Sequence, residues 1–308
     1  MREDEAFLNR YFTVYLQLLG TGFFWGGTFV AGRIVARDVG PYSASFMRFA
    51  LASVMLLAVV YRMEHRLPKP RAADILPLIL MGMTGVFAYN VCFFKGLQLI
   101  DAGRAALIVA NNPVFIALFS AILFKERLTV FRVAGIILSV TGAMVVISRG
   151  NLIEALSGGI GAGEFWILGC VASWVSYSLI GKTTVAHISP LVSVCYSSIA
   201  GTVMLTLPAF SEGLSSQIVN FGLSEWGGLI YLSLFGTVLA LTWYIEGIKR
   251  IGPTKASIFI NFVPVSAVFL SFLILHEPLT YSLLAGLVLV SSGVYLTNAR
   301  LRLQGSAG

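Results

Sequence analysis

Two asparagine–proline clusters stand out as places where this sequence could do chemistry. Asn111, Asn112 and Pro113 are adjacent in one apolar run, and Asn261 stands close before Pro264 in another. Proline has no N–H to donate, and its ring displaces the carbonyl four residues back. Pro113 therefore frees the carbonyl of Val109, and Pro264 that of Ile260. Free carbonyls beside side-chain amides can hold a polar solute through both donors and acceptors. They also suit a packing kink whose amides bond between helices. Arg48 is the one charge well inside an apolar run. A charge at that depth costs roughly 2.5–3.5 kcal/mol by insertion scales, so it either holds a solute carboxylate or bonds to helix carbonyls. Tyr89, Asn90, Trp243 and Tyr244 could add aromatic walls and polar handles, or face lipid and the interface. Trp25 and Trp174 could line the same cavity or pack close to Gly26 and Gly181. Lys95 and Glu246 take matched places near opposite helix ends, where they could act as gates.

Other chemistries lack their residues. No Asp or Glu lies at mid-depth in any apolar run, and His65, His187 and His276 lie at or beyond run ends. Cys92, Cys170 and Cys195 sit inside apolar runs with neither metal spacing nor a disulfide framework. Catalytic residues, a metal site and a cofactor are therefore not expected, nor is an enzyme.

The elements that must position these groups are membrane helices. Of the 308 residues 57% are hydrophobic and 11% charged, against about 25% charged in soluble domains. The apolar residues fall into ten runs: 12–32, 41–61, 75–94, 105–124, 133–148, 165–181, 188–211, 226–245, 256–275 and 278–299. A bilayer core needs about 20 residues per helix. These runs are apolar all round, whereas barrel strands alternate. The first run is too long for a cleaved signal peptide and has no small-residue cleavage site after it.

Charge orients the array. With ten helices, one face carries both termini and 15 of the 21 basic residues, among them Arg62, Arg66, Lys69, Arg71, Lys182, Lys249, Arg250 and Lys255. The other face carries only Arg33, Arg37, Lys95, Arg104 and Arg149. The positive-inside rule places both termini in the cytoplasm. The net charge of +7 then reflects topology and contact with anionic lipid, not nucleic acid.

The chain also matches itself. Trp25, Gly32, Arg33 and Pro41 fall on Trp174, Gly181, Lys182 and Pro190. Two residues of insertion later, Gly96, Pro113, Glu126, Leu128, Thr129, Gly135 and Gly142 fall on Gly247, Pro264, Glu277, Leu279, Thr280, Gly286 and Gly293. Five helices is an odd number, so the second copy enters the membrane from the opposite side. Inverted repeats of this kind hold a solute near the midplane between the halves. The halves are residues 12–149 and 164–300, joined by a Gly-rich linker at 150–163. Glu126 and Glu277 read as turn or cap residues. The paired glycines, and Gly22 with Gly26, read as close helix packing.

With WGGTF at 25–29, RF at 48–49, KERLT at 125–129 and HEPLT at 276–280, the sequence resembles the EamA repeat of the drug/metabolite transporter superfamily over residues 12–300. The resemblance implies an all-α membrane protein of ten transmembrane helices, built as two inverted five-helix repeats and working by alternating access. It implies a bacterial protein of the cytoplasmic membrane, like family members that export amino acids. Small multidrug relatives in that superfamily exchange protons for cations at a buried Glu, which this chain lacks. The expectation is therefore a secondary transporter exporting amino acids or related metabolites. The alternatives are an uncoupled facilitator or channel, or a carrier of organic phosphates or other drug-like metabolites. Phosphate carriers need several convergent cations, and only Arg48 and the more distant Lys95 are at hand. One chain of ten helices is enough to enclose a site, and a homodimer is compatible with it.

Overall fold

The computed structural model describes residues 2–124, 129–150, 161–184 and 188–299. Among these the chain is helical and has no strand. Ten long helices follow one another: α1 (Arg2–Asp38), α2 (Pro41–Glu64), α3 (Ala72–Leu99), α4 (102–124), α5 (Val130–Ile147), α6 (Ala162–Thr184), α7 (Pro190–Ser211), α8 (Leu223–Ile251), α9 (253–275) and α10 (Tyr281–Ala299). Nine of the described helices are long and apolar enough to cross a membrane, while α10 is shorter, apolar over Tyr281–Thr297. Val54, Leu207 and Val288 are 70%, 77% and 64% exposed, the placement of side chains that face lipid rather than water.

Local chemistry sets the boundaries. Pro41 and Pro190 open α2 and α7 in the first turn, where a missing N–H costs nothing. Thr129 caps α5 through the N–H of Arg132, and Ser189 caps α7 through that of Val192. α6 begins at Ala162, and Gly163 packs against Leu99 and Ile100. Residues 151–160 of that linker, residues 125–128 of KERLT, His187 and the basic residues of both tails lie outside what can be described in side-chain detail. A short helix, Leu214–Gln217, and the 3-10 turn Ile218–Asn220 fill the α7–α8 connection.

The helices pair as the repeat demands. α2 packs on α7 and α5 on α10, each with its own counterpart, while α1 packs on α8 and α9 as α6 packs on α3 and α4. The hydroxyls of Ser53 and Thr202, which fall on each other in the repeat, meet at 3.3 Å and mark the pseudo-two-fold axis. Two contacts repeat across it: Gly85 lies against Tyr177, and Gly236 against Thr28.

Four irregularities interrupt the helices, also in matched pairs. α4 stops after Val109 and resumes at Asn112, and α9 tightens into a 3-10 turn over Ile258–Asn261. α3 widens into a π-helix over Gly82–Ala88, and α8 over Tyr231–Leu239. Each proline sits in the first turn of a resumed helix rather than kinking a continuous one.

The α5–α10 seam is the tightest. A Cβ on Gly135 would lie 2.7 Å from the carbonyl oxygen of Gly293, and one on Gly293 equally close to that of Gly135. Both obstacles are backbone, so neither helix can give way without moving as a whole. Gly135→Leu or Gly293→Leu is expected to cost about 1–3 kcal/mol, the range for overpacking. Thermal unfolding in detergent checks this, with Gly181→Ala, whose neighbour is only the flexible end of Met81, expected to be close to neutral.

Candidate functional site

Arg48 lies where the halves meet, 8% exposed. Its Nη1 donates to Oδ1 of Asn90 in α3 at 3.0 Å, and its Nη2 to Oγ1 of Thr237 in α8 at 3.4 Å. Thr237 belongs to the π-helix of α8, and Asn90 lies two residues beyond that of α3. Asn90 donates from Nδ2 to the carbonyl of Val86 at 2.8 Å, and Thr237 donates to that of Leu232 at 2.9 Å. Both side chains thus bond to carbonyls inside the π-helices. Ser233 Oγ stands 2.9 Å from the carbonyl oxygen of Arg48 itself. The rings of Phe49 and Phe93 lie 5.2 and 5.9 Å from the guanidinium carbon, within cation–π range. One N–H, on Nε, is buried without a partner. Arg48 thus bonds to side-chain oxygens of two helices, not to helix carbonyls.

Aromatic pairs flank this centre symmetrically. Trp25 of α1 meets Tyr244 of α8, and Trp174 of α6 meets Tyr89 of α3, both at 5.4 Å between ring centres. Each tryptophan comes from the first helix of one half and each tyrosine from the third helix of the other. Trp25 also donates from Nε1 to the carbonyl of Gly236 in the α8 π-helix at 3.0 Å. Tyr89 stacks on Phe93, which ties its pair to the Arg48 cluster. Trp243 stands apart, against Phe24 and over Gly20.

The helix breaks divide their asparagines between two uses. Asn111 is 1% exposed, accepts from Ser139 Oγ of α5 at 2.8 Å and donates to the carbonyl of Leu107 at 3.0 Å. It serves the packing alternative. Asn112, beside Pro113, and Asn261, before Pro264, each keep a buried Oδ1 with no partner. Lys95 lies over the rings of Trp166 and Tyr42, at 4.4 and 5.4 Å, and Glu246 pairs with Arg250 one turn along at 2.6 Å. The two expected gates therefore sit at opposite ends and do not meet.

Thr237, Ser233 and Phe93 belong to the centre and were not singled out in the sequence. A signal for the π stretches was present: Gly85 and Gly236 fall on each other in the repeat. Among the described residues no cluster of His, Cys, Asp or Glu could hold a metal.

A family model described as "EamA-like transporter family" matches the chain twice, over residues 12–148 and 161–299. The chain is 28% identical over 294 residues to "Uncharacterized transporter YyaM" of Bacillus subtilis (strain 168), covering 96% of each. It is 29% identical over 279 residues to a "Probable terminal-alkyne amino-acid exporter" of Streptantibioticus cattleyicolor, covering 90% of each. A crystal structure of a protein with 21% identity superposes over 96% of this chain and 99% of its own, with a TM-score of 0.65, and supports the fold.

The Arg48 cluster predicts a ranking of variants. Asn90→Leu removes the 3.0 Å acceptor and frees the carbonyl of Val86, and should cost about 1.5–3 kcal/mol, the range for hydrogen bonds to charged groups. Thr237→Val, losing the longer bond, should cost less. Arg48→Met combined with Asn90→Leu should cost less than the sum of the single changes. Unfolding in detergent measures all three.

Proposed function

This chain belongs to the EamA-like transporter family and moves small molecules across a membrane as a multi-pass protein, not an enzyme, and on that premise we propose that it is a secondary carrier exporting amino acids or related carboxylates by alternating access. The observation that carries the cargo class is Arg48. Its guanidinium is buried at the seam, bonded to both halves, with an N–H left over. A solute carboxylate is the natural partner of that group, because arginine pairs with planar oxyanions through parallel N–H bonds. The unpartnered amide oxygens of Asn112 and Asn261 are acceptors of the kind an ammonium needs. The aromatic pairs Trp25–Tyr244 and Trp174–Tyr89 would wall the path between them.

An organic phosphate is less well served. It needs several cations, and Lys95 is engaged with Trp166 and Tyr42. In this reading the basic end faces the cytoplasm of a bacterial cell, so both termini are cytoplasmic. The breaks in α4 and α9 act as joints where backbone groups can be offered to the cargo.

Counterflow in proteoliposomes, with labelled amino acids, nucleosides and sugar phosphates, tests the proposal. Saturable exchange of an amino acid is expected. Arg48→Gln should raise the half-saturation concentration tenfold or more, since a charge-assisted bond is worth about 1.5–3 kcal/mol. Asn112→Ala and Asn261→Ala should weaken exchange further. Exchange of sugar phosphates alone would overturn the cargo class, and flux that rises without saturation or exchange would make the protein a facilitator.

A further inference from the structure

A buried charge must be balanced, and the protein does not balance Arg48. Among the described residues four charged side chains are buried: Arg48, Asp74, Arg104 and Glu164. Arg104 and Glu164 pair with each other at 2.8 Å. Asp74 lies in the first turn of α3, where it accepts the N–H of Arg71 at 3.1 Å and the helix dipole favours a negative charge. The partners of Arg48 are neutral: the amide oxygen of Asn90, the hydroxyl of Thr237 and the rings of Phe49 and Phe93. Asn90 directs its Nδ2 to the carbonyl of Val86, and Thr237 its hydroxyl proton to that of Leu232, so each turns an oxygen to the guanidinium. Neither side chain can ionise, whereas arginine stays protonated. The empty centre therefore carries one uncancelled positive charge.

The acids of the surrounding helices are committed elsewhere. α2 packs chiefly on α3, α7 and α8. Glu64, at the end of α2, accepts from Ser189 at 3.0 Å. Glu212, just after α7, accepts the N–H of Ser43 at 2.7 Å. On α8, Glu225 accepts the N–H of Gly222 at 2.6 Å, and Glu246 pairs with Arg250 at 2.6 Å. Beyond them Glu277 caps α4 from the other half, accepting the N–H groups of Ala102 and Gly103 at 2.8 and 3.1 Å.

Such a centre in a low-dielectric interior selects a solute by its total charge. A cation is repelled. A zwitterion leaves the positive charge uncancelled. A solute with one net negative charge brings the centre to zero without a second cation. A dianion, such as an organic phosphate, overshoots.

We propose that the cargo is a carboxylate with one net negative charge, an acidic amino acid or a simple monocarboxylate, and that the membrane potential drives its export. The proposal rests on the carrier reading and narrows it. One negative charge leaves the cell with each cargo, and a potential that is negative inside favours that movement by itself. The charge on Arg48 thus does the work that a coupling ion does in other carriers.

The full chain in proteoliposomes tests this, with labelled glutamate and glycerate as monoanions, alanine as the zwitterion and arginine as the cation. Valinomycin and a ~tenfold potassium gradient set the potential. Each monoanion should accumulate on the positive side towards ~tenfold, the ratio that a single charge reaches in that potential. An imposed pH gradient alone should accumulate neither. Asn90→Asp sets a carboxylate against Arg48, so monoanion accumulation should fall tenfold or more while alanine becomes a cargo. Arg48→Lys keeps the charge and should keep the response to potential while uptake slows. Saturable exchange of alanine that equals that of glutamate, or monoanion exchange that ignores the potential, would overturn the charge rule and leave the carrier reading standing. Potential-driven monoanion flux without saturation or counterflow would overturn the carrier reading and leave the charge rule standing. Flux of no solute above that of empty liposomes would overturn both.

Discussion

A bilayer interior offers no hydrogen bonds, so each backbone N–H and carbonyl in a spanning segment must find its partner within the protein. The regular helices meet this constraint along most of their length. Four stretches depart from the regular ladder, and identifiable side chains hold three of them. The π-helix of α3 is supported by Asn90, that of α8 by Thr237 and Ser233, and the break in α4 by Asn111. The departures also converge. Arg48 bonds to Thr237 within one π stretch and to Asn90, which bonds back to Val86 in the other, so the buried charge and the two π stretches form one connected structure.

Inversion of the repeat explains how these parts come in pairs without being identical. Ser53 meets Thr202, Gly85 meets Tyr177 as Gly236 meets Thr28, and each aromatic pair crosses from one half to the other. The pairs are also unequal. Arg48 falls on Ser197 in the repeat, so one charge serves both halves. Pro253 opposite Ala102 and Tyr15 opposite Glu164 are the same kind of inequality at the ends of the bundle.

Much of the architecture was legible in the sequence because lipid imposes a coarse rule: long apolar runs and few charges. The breaks were legible because proline announces itself. Asn111 could not be separated from Asn112 by type, since only the position of Ser139 decides that the first is used in packing. The π stretches contain no proline, and their one clue, the matched Gly85 and Gly236, reads equally well as helix packing. Cross-half ties such as Glu277 on Ala102 join residues far apart in the chain, and a turn-like motif says nothing of a distant helix end.

The glycine seam between α5 and α10 has a consequence for how the protein is made. Gly142 must wait for the helix that carries Gly286, and at ~5–20 residues per second of synthesis that helix emerges between about 7 and 30 seconds later. Through that interval α5 presents a narrow, small-residue groove to the surrounding lipid, shaped to accept a close backbone. Any other membrane helix with a small-residue face is a rival for it. α10 therefore completes the seam by taking the place that such a rival would occupy.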